Sequence, residues 1–183
     1  ERGTGDNTKV ELDIESFNFN RVIERKFTPR LGHELIFYNN KIWIIGGYDG
    51  NFKNDVWYSS DDGKNWKLAA SSTPWSGRGY HTLVEFNNEM WLIGGFDGSS
   101  VKGDVWHSSD GINWTLATSS PSWNDRMYHT SVVFDYNNDG NNEIWLIGGM
   151  GTGSPSYKND VWYSFDGINW TLATSSANWN KRA

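Results

Sequence analysis

Twelve tryptophans, at 43, 57, 66 and 75, then 91, 106, 114 and 123, then 145, 162, 170 and 179, fall into three sets of four. The blocks around them align, so the chain is built from one supersecondary unit used three times. Phe27 to Trp75 is 48 residues and Trp75 to Trp123 is 48 again. Trp123 to Trp179 is 56, the excess being six residues before Glu143 and two after Gly149. Insertions confined to loops are what stacked units tolerate.

Each block carries four short strand signals punctuated by turn residues. In the second block these are His81 to Phe86, Glu89 to Gly94, Asp104 to Ser108 and Asn113 to Thr118. The turns between them are Asn87-Asn88, Asp97-Gly98 and Asp110-Gly111. The second strands (IWIIGG, MWLIGG, IWLIGG) are apolar at consecutive positions, so both of their faces must be covered. No helical apolar period of useful length appears. An all-β chain of four-stranded units that cannot bury their faces alone predicts radial stacking into a propeller.

The residues also carry a family resemblance. R-x-x-H, an apolar strand ending in Gly-Gly, an aromatic-Asp-Gly, then DVW and a later Trp resemble the kelch repeat. Gly46-Gly47-Tyr48-Asp49-Gly50 and Gly94-Gly95-Phe96-Asp97-Gly98 match its signature, while the third copy reads Gly148-Gly149-Met150-Gly151. The resemblance covers residues 27–182 and implies a kelch-type β-propeller with a binding function. The expected organisation is one propeller domain: an N-terminal segment 1–26, then blades at 27–74, 75–122 and 123–183. In the segment 1–26, the spacing of Val10, Leu12, Ile14, Phe17, Phe19, Val22 and Ile23 suits a remnant strand pair of a preceding blade or an edge cover. Propellers typically have 4–8 blades, so three imply either further blades, with Arg182 beginning the next motif, or a second chain to close the ring. The further blades are the preferred reading.

Composition narrows function. Aromatics make up 16% of the 183 residues, which a disordered chain would lack. No apolar run approaches the roughly 18 residues of a membrane helix, and the first residues lack the layout of a secretion signal. The net charge of −6, without a basic run, makes nucleic acid a poor partner. With no cysteine there is no disulfide, thiol catalysis or Cys-ligated metal.

Residues present in every block serve first what every blade needs. Arg30, Arg78 and Arg126 recur with His33, His81 and His129. They are candidates for a cationic ring that binds an anionic ligand; the preferred alternative is that each stitches its strand to the neighbouring blade. Tyr48, Asp49, Phe96 and Asp97 open the loops after the second strands and complete the candidate ligand rim. Trp75, Trp123 and Trp179 are either an exposed stacking platform or, by preference, plugs buried between blades. Ser59-x-Asp61-x-Gly63-x-x-Trp66, with its shorter copies Ser109-Asp110-Gly111-Ile112-Asn113-Trp114 and Phe165-Asp166-Gly167-Ile168-Asn169-Trp170, resembles the Asp-box hairpin of sialidase-type propellers. That resemblance implies a folding device in which Asp accepts turn amides.

One motif is singular. Asp135, Asn137, Asp139, Asn141 and Glu143, with Gly140, place oxygens at positions 1, 3, 5, 7 and 9 of a tight loop. This is the spacing a hard cation such as Ca²⁺ asks for, the Asn141 donor being its backbone carbonyl. Leu146 stands where an EF-hand would carry its bidentate Glu, so the loop resembles the short DxDxDG hairpins of integrin-type blades. The ion would be structural; the alternative is a polar hairpin tip with no ion.

The function expected is a non-catalytic module that recognises a protein or glycan through one rim. The alternative is a carbohydrate-active propeller enzyme, a glycosidase or sugar epimerase, which requires two carboxylates about 5–9.5 Å apart. No singular acid–base pair stands out, and the copper-radical oxidase chemistry of kelch-type domains needs a Cys–Tyr crosslink this chain cannot form. Richness in Asn, Ser, Trp and Gly, together with the calcium loop, points to a secreted or cell-surface location.

Overall fold

The computed structural model describes residues 27–152 and 156–179. The expected strand remnant in 1–26 and the motif start at Arg182 lie outside them. The described residues are all β, with no helix. Three antiparallel sheets follow one another. The first is β1 (Glu34–Tyr38), β2 (Lys41–Ile45), β3 (Val56–Ser59) and β4 (Lys67–Ala70); the second is β5 (Thr82–Phe86), β6 (Glu89–Phe96), β7 (Val101–Ser108) and β8 (Thr115–Thr118). The third has β10 (Thr130–Phe134), β11 (Glu143–Gly151), β12 (Tyr157–Ser164) and β13 (Thr171–Thr174), with the two-residue β9 (Arg126–Met127) paired to the end of β11. The four main strands of each sheet form a meander in chain order, with β9 off that path on β11.

Turn chemistry fixes the hairpins. Asn39-Asn40 and Asn87-Asn88 take φ of 48° and 55°, and of 52° and 59°. Positive φ at both central residues is the two-residue turn whose twist matches the flanking strands, and Asn tolerates it. The third sheet replaces this turn with the 135–142 insertion. β6 runs two residues past Gly94 and β7 starts three before Asp104, so the second loop is tighter than its sequence suggests. The backbone pairing continues there because Gly95 and Phe96 bond back to Lys102 and Val101.

The sheets bury their faces against one another. Ile36, Tyr38, Trp43, Ile45, Val56 and Ala70 of the first pack on Met90, Leu92 and Trp114 of the second. Val84, Phe86, Trp91, Ile93 and Val105 of the second pack likewise on Ile144, Leu146 and Trp170 of the third. Trp75 and Trp123 are fully buried in these seams and not a platform. They meet Trp114 and Trp170 edge-on, at 6.0 Å and 5.7 Å. Such indoles each hide roughly 150–250 Å². Three stacked four-stranded blades make a partial β-propeller.

Candidate functional site

The arginines of R-x-x-H are buried and saturated. Arg78 donates to both carboxylate oxygens of Asp104, to the Gly94 carbonyl and to Ser76. Arg30 makes the same fork to Asp55 and Gly46, and Arg126 to Asp160 and Gly148. Each Asp also accepts from an indole: Trp57 at 2.9 Å, Trp106 at 2.7 Å and Trp162 at 2.8 Å. The Asp of the D-V-W triplet is thus the counter-ion of the arginine two strands earlier, a long-range pairing; recurrence marks the Asp but not its partner. The guanidinium ties its own blade together. The crossing to the neighbour is made by the main chain: the Arg78 carbonyl accepts from Gly47 of the preceding blade, and the Arg78 amide donates to Lys53.

That crossing explains the glycine pairs. At Gly46, φ is +64° and an added Cβ would lie 2.6 Å from the Arg78 carbonyl oxygen and 3.1 Å from the His81 ring. Gly94 repeats the arrangement against Arg126 and His129. His81 is wholly buried, and neither ring nitrogen has a partner among the described residues. His129 offers Nε2 to the Thr82 hydroxyl at 2.9 Å, and that hydroxyl also meets Ser131 at 2.8 Å. Burial, reinforced by the nearby arginine, lowers the pKa of each imidazole to about 3. Neutral, enclosed rings do not present a cationic surface at physiological pH. His33 is half-buried, and its Nδ1 has no partner among the described residues.

The rim above them is shared by the R-x-x-H segments and the loops after the second strands. Leu31 pairs with Tyr48, and Gly79 with Phe96, through backbone bonds. Between the first two blades lies an open cleft of about 560 Å³, lined by Tyr48, Asn51, Phe52, Ser76, Asp97 and Ser99, among others. Tyr48 meets Phe52 at 4.9 Å, and Phe52 meets Phe96 edge-on at 5.5 Å. The cleft therefore brings Tyr48 and Asp97 together, beside Phe96. Its lining includes none of the three arginines or histidines. Phe52 stands where the other blades have Val101 and Tyr157, directly before the lysine of the K-x-D-V-W run, and a position that varies so in residue type carries no site signal of its own.

Both rim carboxylates have local partners. Asp49 accepts from Lys53 at 2.8 Å and from the Thr28 hydroxyl at 2.7 Å. The Lys53 bond, then the Thr28 bond, lower its pKa to about 2. Asp97 pairs with Lys102 at 2.6 Å and accepts the amides of Ser99 and Ser100. Burial pushes the Asp97 carboxyl up, but Lys102 and the two amides outweigh it and hold it at about 2. Nearer the axis, Tyr80 and Tyr128 take φ of +60° and +56°, where the first blade has Gly32 at +63°. Their rings pack at 4.5 Å, and Tyr80 lies over Gly32. Left-handed backbone at a bulky residue is uncommon and carries strain.

On the opposite rim, the Asp135 loop folds on its own amides. Asp135 accepts from Asp139 and Gly140, at 3.1 Å and 2.8 Å. Asp139 accepts the Asn141 amide at 2.8 Å and the Asn137 side chain at 2.9 Å. Glu143 is fully buried at the loop base: Oε2 accepts from the Tyr136 amide, and Oε1 has no partner among the described residues. Among the described residues, no three His, Asp or Glu side chains sit close enough together to hold a metal ion. The nearby hairpin tips are fastened similarly, Asp110 accepting the Ile112 and Asn113 amides at 2.8 Å and Asp166 those of Ile168 and Asn169 at 2.8 Å and 2.7 Å.

Comparison with known proteins supports the architecture. The Kelch motif matches residues 29–71, from the first R-x-x-H through the fourth strand of its sheet. A stretch of 42 residues is 45% identical to the leucine-zipper-like transcriptional regulator 1 homolog of Drosophila melanogaster. That stretch is 22% of this chain and 4% of the relative's length. Among the described residues no helix is long and apolar enough to cross a membrane. The first blade carries a Kelch motif, and the stack of three such sheets is a partial kelch β-propeller.

Proposed function

We propose that this chain is a non-catalytic interaction module that binds a protein partner on the rim holding the Tyr48–Phe52–Asp97 cleft. Kelch repeats generally mediate protein interaction, and the observation that carries the reading is the cleft itself. It offers aromatic side chains and hydrogen-bonding groups in one concave place, the make-up of an interface centre. Asp49 and Asp97, held by lysines and ionised down to about pH 2, suit fixed charges rather than proton donors near neutrality. Completion of the ring by further blades or a second chain belongs to the same reading.

A displayed peptide library, screened beside a glycan array and a panel of chromogenic glycosides, tests it. The expected result is peptide binding that weakens at least tenfold in the double variant Tyr48→Ala, Phe52→Ala, with the fold intact. Binding of glycans alone would make the ligand a sugar, and glycoside turnover would favour the enzyme.

We further propose that the loop of Asp135, Asn137, Asp139, Asn141 and Glu143 takes a structural Ca²⁺, which would have to draw together the Asp135, Asp139 and Glu143 carboxylates that do not converge without it. The unpartnered, buried Glu143 oxygen at the loop base supports that assignment. An extracellular setting, where calcium is millimolar, suits so short a site. Calcium should raise the melting temperature of the wild type and not of Asp139→Ala; an equal response in chelator would remove the ion.

A further inference from the structure

We propose that the occupant of the Tyr48 cleft is an uncharged, proline-bearing stretch of a partner protein, bound extended and not as an added strand. This deepens the reading of the rim as the binding face and rests on it. Charge is spent inside the walls. Asp97, the carboxylate of the cleft lining, gives one oxygen to Lys102 and the other to the amides of Ser99 and Ser100. Asp49, next to Tyr48 in the chain, is closed in the same way by Lys53, the Thr28 hydroxyl and the Asn51 amide. A carboxylate so filled does not draw in a lysine or arginine, because the newcomer would have to displace a lysine already in place. The arginines and histidines of R-x-x-H lie outside the lining, so an acidic ligand finds no counter-ion there. A sugar, with a hydroxyl on most ring carbons, needs several acceptors, and the strongest one in the lining is taken.

The main chain is spent as well. The amides of Tyr48, Asp49 and Asn51 donate to Leu31, Asn51 and Asp49, and those of Asp97 and Ser99 to Ser100 and Asp97. Strand addition requires alternate free N–H and C=O groups along one edge, and neither loop offers such a run. An ordinary backbone laid here would leave its own N–H groups facing rings. Proline has no N–H to leave unpaired.

What the walls keep available is aromatic surface and a few side-chain donors. Tyr48 is 37% exposed, its ring 4.9 Å from that of Phe52. Phe52 in turn lies against Gly98, where φ is +95° and an added Cβ would lie 3.0 Å from the ring. The loop of the second blade thus seats the aromatic of the first. The Tyr48 hydroxyl, the Asn51 amide and the Ser99 hydroxyl line the same opening and have no partner among the described residues. Rings that pack on pyrrolidine, with donors beside them for exposed carbonyls, are how aromatic grooves take polyproline II segments. That helix makes no hydrogen bonds of its own and is extended before it binds, so little entropy is lost on docking.

Fluorescence anisotropy with a labelled decaproline peptide tests the assignment, beside oligolysine and oligoglutamate peptides. Decaproline alone should bind, and its affinity should hold within about twofold from about 50 to about 500 mM salt, since no ion pair forms. Phe52→Ala should weaken it by about tenfold or more, and Asn51→Ala, which removes a donor at an exposed position, by about threefold. Both variants should keep the wild-type far-UV spectrum. Decaproline binding indifferent to Phe52→Ala would overturn the proposal. Selected library peptides that need Tyr48 and Phe52 yet carry charge or lack proline would overturn it too, and leave the rim reading intact. Absence of any peptide that depends on Tyr48 and Phe52 would remove both.

Discussion

The seam between the first and second blades and the seam between the second and third share one backbone plan but differ in their polar content. In the second seam, the His129 imidazole, the Thr82 hydroxyl and the Ser131 hydroxyl form a hydrogen-bonded chain. In the first, Glu34 and Leu83 take the places of Thr82 and Ser131, and His81 is left without a partner among the described residues. Burial raises the pKa of Glu34. The repeat enforces the shape of a junction and leaves its chemistry free to drift, provided the apolar packing carries it.

The largest effect should come from what all three blades share beneath the seams, the arginine fork. Asp104→Ala strips a buried guanidinium and an indole of their acceptor, and should cost about 3–5 kcal/mol in denaturant unfolding. A loss under 1 kcal/mol would mean that the arginine fork contributes little. Acid comes next. An imidazole whose pKa falls from about 6.5 to about 3 on folding stays neutral while the unfolded chain takes up protons, so stability drops as pH falls through that window. The slope is about 1.4 kcal/mol per pH unit for each such group. His81→Leu should remove one share of that slope, and a pH profile unchanged in this variant would show that the ring is already protonated.

The two seams separate more finely by substitution. His129→Leu breaks a made hydrogen bond and should cost about 1 kcal/mol more than His81→Leu, which removes a ring with no partner. Equal costs would erase the distinction. The smallest change is a transplant: Glu34→Thr gives His81 the hydroxyl that His129 has, and should add about 0.5–1.5 kcal/mol in denaturant unfolding near neutral pH. No gain would show that seam geometry differs as well as chemistry.

Much of the fold could be read from spacing. The tryptophan period located the blades, the Asn-Asn pairs the first hairpins and the Gly-Gly ends the close approaches, because each reports a local backbone demand. The partners across the fold were not legible. Recurrence marked Asp55, Asp104 and Asp160 without saying that they hold Arg30, Arg78 and Arg126, since strand order in space decides it. Nor does a tyrosine advertise left-handed backbone; alignment of Tyr80 and Tyr128 with Gly32 was the available hint. At the rim, Tyr48 and Asp97 could be placed by motif, but Phe52 joins them through a loop whose path only tertiary packing sets.

The hairpin-tip glycines Gly111 and Gly167 rest on the Trp43 and Trp91 rings of the blades before them, which has a practical consequence. At Gly111 a single methyl group would be a wedge driven under a buried indole, on a backbone already at φ +75°. The spacing between neighbouring wheel sectors is thus set by the absence of one carbon atom at each outer corner.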